Sequence, residues 1–171
     1  NDRLLQKFLH LPERRSRLIF DLDGTVVTVF GKQDGAEVGY NPKYRGKRSY
    51  NPLLCLEANS SFLWDAELRA GNASPWESSP ALLDTSFATV PPDIRELRFR
   101  ADAGFGFQPV LQELEDHDVR YAVVARLTTP LKNALRGLNY QRANARWELA
   151  ETEYRAHGWS HARRIVAARR L

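Results

Sequence analysis

The sequence contains no methionine and a single cysteine. Without a methionine, residue 1 is not a translation start, and the chain is expected to be a mature product or a piece of something longer. One thiol, Cys55, excludes an internal disulfide and fits a reducing compartment. In its apolar run it is expected to be buried and inert. No apolar stretch approaches the roughly 20 residues that span a bilayer, and the charged N-terminus lacks the core of a secretory leader. These absences exclude disulfide scaffolds and helical membrane proteins, and lead to the expectation of a soluble, cytoplasmic protein with no membrane partner. At 171 residues, one compact domain burying about two-thirds of its unfolded surface is the default.

Acidic residues run out along the chain. Residues 1–119 hold 14 Lys and Arg against 18 Asp and Glu, whereas residues 120–171 hold 11 against three and no Asp. Such asymmetry points to a polyanion-facing C-terminal part or, equally, to a solvated basic face.

Periodicity places the elements. Residues 1–16 carry Leu4, Leu5, Phe8, Leu9 and Leu11 among charges and read as an amphipathic helix, a tail or linker. Arg17 to Phe30 is one β-branched apolar run and reads as a single strand ending at Gly31. Residues 31–52, rich in Gly, Asn, Pro and Lys, read as loop. A hairpin is expected from 53–58 and 61–68 around Asn59-Ser60, then a helix over 80–89 with Pro in its first turn. A strand over 94–101, a helix over 109–115, a strand over 121–125, a short helix near 130–136, and period-2 runs at 147–155 and 163–168 complete the chain. Three antiparallel strands, helix, strand, helix, strand suit an α/β core of the ribonuclease H type. The expected division is a tail at 1–16, a core at 17–127 and a β-rich insertion at 128–171, with the core's closing helix absent.

Carboxylates carry the chemistry. Residues two apart on a strand share a face, so Asp21 and Asp23 point the same way from a run expected to lie inside the sheet. Like charges there are costly unless a cation or partner compensates them. Asp102 falls just past a second strand, before Ala103-Gly104. Carboxylates at neighbouring strand ends are what a divalent cation requires, hard oxygen ligands with positions left for water and phosphate. A hydrogen-bonded edge residue is the plainer reading of Asp102 alone.

Residues 19–26, Ile-Phe-Asp-Leu-Asp-Gly-Thr-Val, resemble the first motif of haloacid-dehalogenase-type phosphatases. That resemblance implies Asp21 as nucleophile and Asp23 as general acid/base with Mg²⁺ nearby. It fails further on. The family needs a later acidic pair, but no Asp follows Asp118. Thr128 and Lys132, which imitate its hydroxyl and lysine motifs, stand only four residues apart. Its first strand should also end in a loop, whereas Thr25–Phe30 reads as continuing the strand.

A longer series of blocks decides the matter. Asp21-Leu22-Asp23-Gly24-Thr25 is followed by residues 31–36 (Gly-Lys-Gln-Asp-Gly-Ala) and 39–43 (Gly-Tyr-Asn-Pro-Lys). Then come Gly46, residues 49–55 (Ser-Tyr-Asn-Pro-Leu-Leu-Cys), 68–72 (Leu-Arg-Ala-Gly-Asn) and 100–105 (Arg-Ala-Asp-Ala-Gly-Phe). In this order they resemble the group-1 DDE-domain transposases of bacterial insertion sequences, from about Arg17 to the C-terminus. The resemblance implies a ribonuclease H-like fold and metal-dependent DNA cleavage and strand transfer with two Mg²⁺ (or Mn²⁺) ions. It implies double-stranded DNA, both transposon ends and target, as partner, and allows a homodimer of the full-length protein.

Carried over, Asp23 is the first catalytic aspartate and metal ligand, with Asp21 its alternate or helper, and Asp102 is the second. Gly24 departs from the commoner Ser, which touches a local hydrogen bond. The Glu expected on a late helix has no match. Glu148, Glu151 and Glu153 lie in a strand-like stretch and read as surface of the insertion, so the chain is expected to be inactive by itself. An inactive DNA-binding remnant is a further alternative.

Lys43, Arg45, Lys47 and Arg48, flanked by Tyr40 and Tyr50, are expected to contact DNA phosphates, as are Arg126, Arg163 and Arg164. A solvated loop is the alternative. His157 and His161 read as loop residues without a third ligand, and Trp64, Trp76, Trp147 and Trp159 as packing.

Overall fold

The computed structural model describes residues 16–171 apart from residue 75. The helix expected over residues 1–16 therefore lies outside the described residues but for its last position. The chain divides into two units, Asn1–Val124 and Ala125–Leu171.

The alternation of β1 (Arg17–Gly24) organises the first unit. Leu18, Phe20 and Leu22 are buried, while Asp21 is half-buried and Asp23 exposed on the opposite face. β1 sits at the centre of a mixed five-stranded sheet, antiparallel to β5 (Leu53–Glu57), which pairs antiparallel with β6 (Phe62–Glu67). On its other side β1 is parallel to β7 (Glu96–Ala101), and β7 to β8 (Arg120–Val123). The spatial order is β6-β5-β1-β7-β8.

Two helices, α1 (Ser79–Ala88) and α2 (Gln108–Asp116), supply the core against the apolar face. Leu82, Leu83 and Phe87 of α1 and Val110, Leu111 and Leu114 of α2 are buried with Phe20, Phe99, Leu53 and Trp64. Phe20 lies 4.8 Å from Trp64 and 6.2 Å from Phe87 between ring centroids. The Trp64 indole N–H, costly to bury unpaired, donates to the Ser86 carbonyl and the Thr89 hydroxyl at 3.1 and 2.9 Å. Cys55 is buried among these groups, and burial pushes its thiol up to about 12.

The strand expected over 17–30 is broken. After Gly24 the Thr25 amide donates to the Pro52 carbonyl at 3.1 Å, and the chain leaves the main sheet. It re-enters order as β2 (Val27–Thr28), paired with β4 (Arg48–Tyr50), which also pairs with β3 (Glu37–Val38). The segment expected to be loop thus holds two strands of a separate three-stranded sheet, β2-β4-β3. Local composition misleads here because the small sheet rests on contacts distant in sequence. Asn41 is buried, donating to the Thr28 hydroxyl at 2.8 Å and accepting from the Tyr44 amide at 2.9 Å. Gly39 and Gly71 bring two backbones together, since a Cβ on Gly39 would overlap the Gly71 carbonyl and lie 2.6 Å from the Asn72 amide nitrogen.

The hairpin around Asn59-Ser60 is as expected, and Glu57 closes it. Its carboxylate accepts from the Ser60 amide (2.9 Å) and hydroxyl (2.7 Å), the Asn59 side chain (2.9 Å) and the Asn59 amide (3.2 Å). Burial alone would raise its pKa, but these hydrogen bonds outweigh it and hold the carboxyl below its ordinary value. A depressed folded pKa stabilises above the unfolded value of about 4.5, and that stability drains away as pH falls through the folded value. The urea midpoint should therefore fall on acidification below pH about 4.5 in the wild type, and fall less in Glu57→Gln. Parallel pH profiles would show that the hairpin does not depend on this charge.

In the second unit the Thr128 hydroxyl caps α3 (Thr129–Arg136), accepting from the Leu131 amide at 3.4 Å. Leu131 is buried. The period-2 runs form β10 (Trp147–Tyr154) and β11 (Arg163–Arg170), an antiparallel ribbon with β9 (Gln141–Arg142) along the other edge of β10. Trp147, Leu149, Glu151 and Glu153 share its exposed face.

Candidate functional site

Parallel pairing of β1 with β7 sets Asp21 opposite Arg100 and Leu22 opposite Ala101. The next residue along each strand is an aspartate, Asp23 near the end of β1 and Asp102 just past the carboxyl end of β7. Both are exposed.

The two aspartates of β1 differ in what they meet. Asp21 accepts a two-pronged salt bridge from Arg100, with Nε to Oδ1 and Nη2 to Oδ2 both at 2.6 Å. That bridge raises the Arg100 pKa, first by hydrogen bonding and then by charge. The cation that compensates Asp21 is thus an arginine. Asp21 and Asp23 also lie on the open face of the sheet, away from α1 and α2, and not in its interior as the apolar run suggested. Among the described residues, the Asp23 carboxylate has neither a hydrogen bond nor an ion pair.

Asp102 opens a turn in which the Phe105 amide donates to its carbonyl at 3.2 Å. Its Oδ1 accepts from the Gly104 amide at 2.7 Å, and Oδ2 has no partner among the described residues. A Cβ on Gly104 would stand 2.9 Å from that Oδ1. The glycine makes room for the carboxylate itself.

Arg69 is a residue near this site that sequence reasoning quoted only as part of a motif. It is buried, and its Nε donates to the Asn51 carbonyl at 3.1 Å and its Nη1 to the Ser74 carbonyl at 3.2 Å and the Ser78 hydroxyl at 3.4 Å. Its Nη2 lies 3.8 Å from where a Cβ on Gly24 would be. It therefore ties Asn51 to Ser74 and Ser78 beside the residue that follows Asp23. Burial lowers its pKa, and nearby Glu67 and Glu77 act against that. In the sequence its only sign was its place between Leu68 and Ala70-Gly71 in one of the ordered blocks.

The basic residues separate into engaged and open ones. Lys43, Arg45 and Lys47 are exposed with no ion pair among the described residues. Arg48 is held within the small sheet, donating to the Ala36 carbonyl at 2.7 Å and approaching Glu37 at 3.4 Å. In the second unit Arg126 is exposed, whereas Arg163 is buried with its guanidinium 5.1 Å from the Trp159 ring centroid. Arg164 pairs with Glu151 through two bonds of 2.8 and 2.6 Å. Arg163 packs inward from its strand, and Arg48 is half-buried with its guanidinium bound within the small sheet.

Glu148 is bound by Arg169 at 2.7 Å and Glu151 by Arg164. Glu153 is exposed, opposite Arg164 in the ribbon register. A different acidic cluster, Asp84, Glu113 and His117, has its ligand atoms within 4.8 Å of one another. His117 Nε2 lies 3.3 Å from Asp84 and 3.0 Å from Glu113, and its ring packs 5.0 Å from Phe87. This cluster joins α1 to α2 on the covered side of the sheet, opposite Asp23.

The described residues of the first unit thus form a mixed α/β domain with helices on one face of the sheet and exposed carboxylates near the carboxyl ends of two adjacent parallel strands. The chain belongs to the family described as Transposase DDE domain group 1, which it matches over residues 1–170. No curated relative matches the chain. Among solved structures it is similar in fold to a piggyBac transposase seen in a synaptic complex with hairpin DNA, at TM-score 0.50 and 10% identity. The likeness covers 88% of this chain and 32% of that transposase, so this chain spans about a third of its length.

Proposed function

We propose that this chain is the metal-binding core of a DNA transposase, with Asp23 and Asp102 as ligands of a divalent cation, Mg²⁺ or Mn²⁺, and double-stranded DNA as substrate. The observation that carries the reading is the pairing of Leu22 with Ala101, which puts Asp23 and Asp102 next in line at the same end of two adjacent strands, joined to the lack of a partner for the Asp23 carboxylate among the described residues. Exposed carboxylate oxygens are the hard donors these cations prefer, and one oxygen of Asp102 stays available while the other is anchored by Gly104. The bound ions would activate the attacking oxygen and stabilise the leaving one during in-line displacement at a phosphodiester. The protein's own part is to hold the two carboxylates at the same end of two adjacent strands, to anchor Asp102 through its turn, and to set Arg69 beside Gly24. Asp21 serves as a helper by fixing Arg100 between β1 and β7.

The order β6-β5-β1-β7-β8, with three antiparallel strands before the first helix of the described residues, supports the ribonuclease H-like arrangement. We further assign 17–127 to the core and 128–171 to the insertion. The phosphatase reading loses one of its objections, since the first strand does end at Gly24. It gains others. β1 pairs antiparallel with β5, its proposed nucleophile Asp21 is clasped by Arg100, and Thr128 is engaged as a helix cap.

Mn²⁺ titration followed by electron paramagnetic resonance tests the site without requiring turnover. Wild-type protein should bind Mn²⁺, with Asp23→Asn and Asp102→Asn each weakening it by at least about tenfold, a loss of roughly 1.4 kcal/mol or more. Undiminished binding in both variants, with loss on changing Asp84 or Glu113, would move the metal site to the helix pair.

A further inference from the structure

The small sheet β2-β4-β3 displays aromatic rings that neither the core nor the carboxylate site uses. Phe30 is 75% exposed, Tyr40 81% and Tyr44 41%. Phe30 and Tyr44 meet edge to face, with centroids 5.6 Å apart, so the packing of one ring on the other leaves ring faces open. The Lys43 ammonium stands 5.5 Å from the Tyr44 centroid. Lys32, Arg45 and Lys47 are also exposed, with no ion pair among the described residues.

This surface is braced from beneath. Asn41 links Thr28 to the Tyr44 amide, Arg48 holds the Ala36 carbonyl, the Tyr50 hydroxyl donates to the Asp34 carbonyl, and Gly39 abuts Gly71. A braced platform of open ring faces ringed by cations is complementary to a polyanion that itself presents open ring faces. Single-stranded nucleic acid meets that description. An intact duplex does not, because its bases are stacked on one another and offer only the phosphates to such a surface.

We propose that the small sheet is a binding platform for unpaired nucleotides, with bases stacking on Phe30 and Tyr44 and phosphates held by Lys43, Arg45 and Lys47. The choice of DNA as the strand rests on the transposase reading. The platform follows directly on Asp23, through Gly24 and the Thr25 to Pro52 hydrogen bond. It therefore suits a strand end unpaired next to the cleavage site.

Fluorescence anisotropy with labelled oligothymidine and with labelled duplex, in metal-free buffer over a salt series, tests the platform on the intact protein. Phe30→Ala with Tyr44→Ala should weaken single-strand binding by about 10- to 100-fold, leave the salt slope unchanged and leave duplex binding unchanged. Phe30→Tyr with Tyr44→Phe, which keep the rings, should bind the single strand as the wild type does. Lys43→Gln, Arg45→Gln and Lys47→Gln together should flatten the single-strand slope of log K against log salt by about two units, at roughly 0.7 per phosphate contact. Single-strand binding by the double alanine variant within twofold of wild type would overturn the proposal, as would an equal loss on single strand and duplex. The Phe30→Ala, Tyr44→Ala variant should bind Mn²⁺ as the wild type does, so loss of Mn²⁺ binding and loss of stacking fail or succeed separately.

Discussion

Asp23→Asn should abolish metal-dependent strand cleavage by the intact transposase, while Asp21→Asn should leave most of it. The two residues sit two apart on one strand face, yet their surroundings assign them different work. The Asp23 carboxylate has no partner among the described residues, and it follows Leu22 as Asp102 follows Ala101, the residue paired with Leu22. Removing a ligand charge there forfeits several kcal/mol of transition-state stabilisation, a fall of about 10³-fold or more in rate. Asp102→Asn should do the same. Asp21 is already neutralised by Arg100 in a pair whose side chains are 35% and 56% exposed. Solvent screens such a pair, and breaking it costs at most about 1 kcal/mol of stability. The measurement is nicking of labelled transposon-end duplex with Mg²⁺ or Mn²⁺ present. An inactive Asp21→Asn beside an active Asp23→Asn would instead make Asp21 the first catalytic aspartate.

Gly39→Ala should be among the most damaging single-methyl changes in the chain. Its new Cβ would overlap the Gly71 carbonyl and stand 2.6 Å from the Asn72 amide nitrogen, both backbone atoms that no rotamer change can move aside. Either the small sheet lifts away from the 71–72 segment or both backbones shift, at a cost of about 3 kcal/mol or more. Gly46→Ala is the control. Gly46 has φ +76° with nothing within 4 Å of an added Cβ, so it carries only the left-handed backbone penalty of about 1–2 kcal/mol. Urea denaturation of both variants should rank them in that order. A Gly39→Ala midpoint equal to that of Gly46→Ala would mean that the two segments separate freely.

Much of this protein was legible without its structure. Period-2 and period-3.6 patterns located the central strands and all three helices of the described residues to within a few positions, because these signals report burial of one face and need only neighbouring residues. The same local signal placed Asp21 and Asp23 on one side of β1, and ordered blocks of residues pointed to the family that the chain belongs to. Tertiary structure decided the rest. Whether a carboxylate is free depends on what lies across the strand, and Arg100 is 79 residues from Asp21. Nothing near Gly24 announces that the strand ends there, since the Pro52 carbonyl that captures the Thr25 amide comes from another segment. Arg48 and Arg163 look like their exposed neighbours in a charge count, yet one is bound within the small sheet and the other lies buried against Trp159. A charge pattern states how many cations a segment carries. Which of them remain open to a phosphate is settled only when register and packing bring distant groups to each side chain.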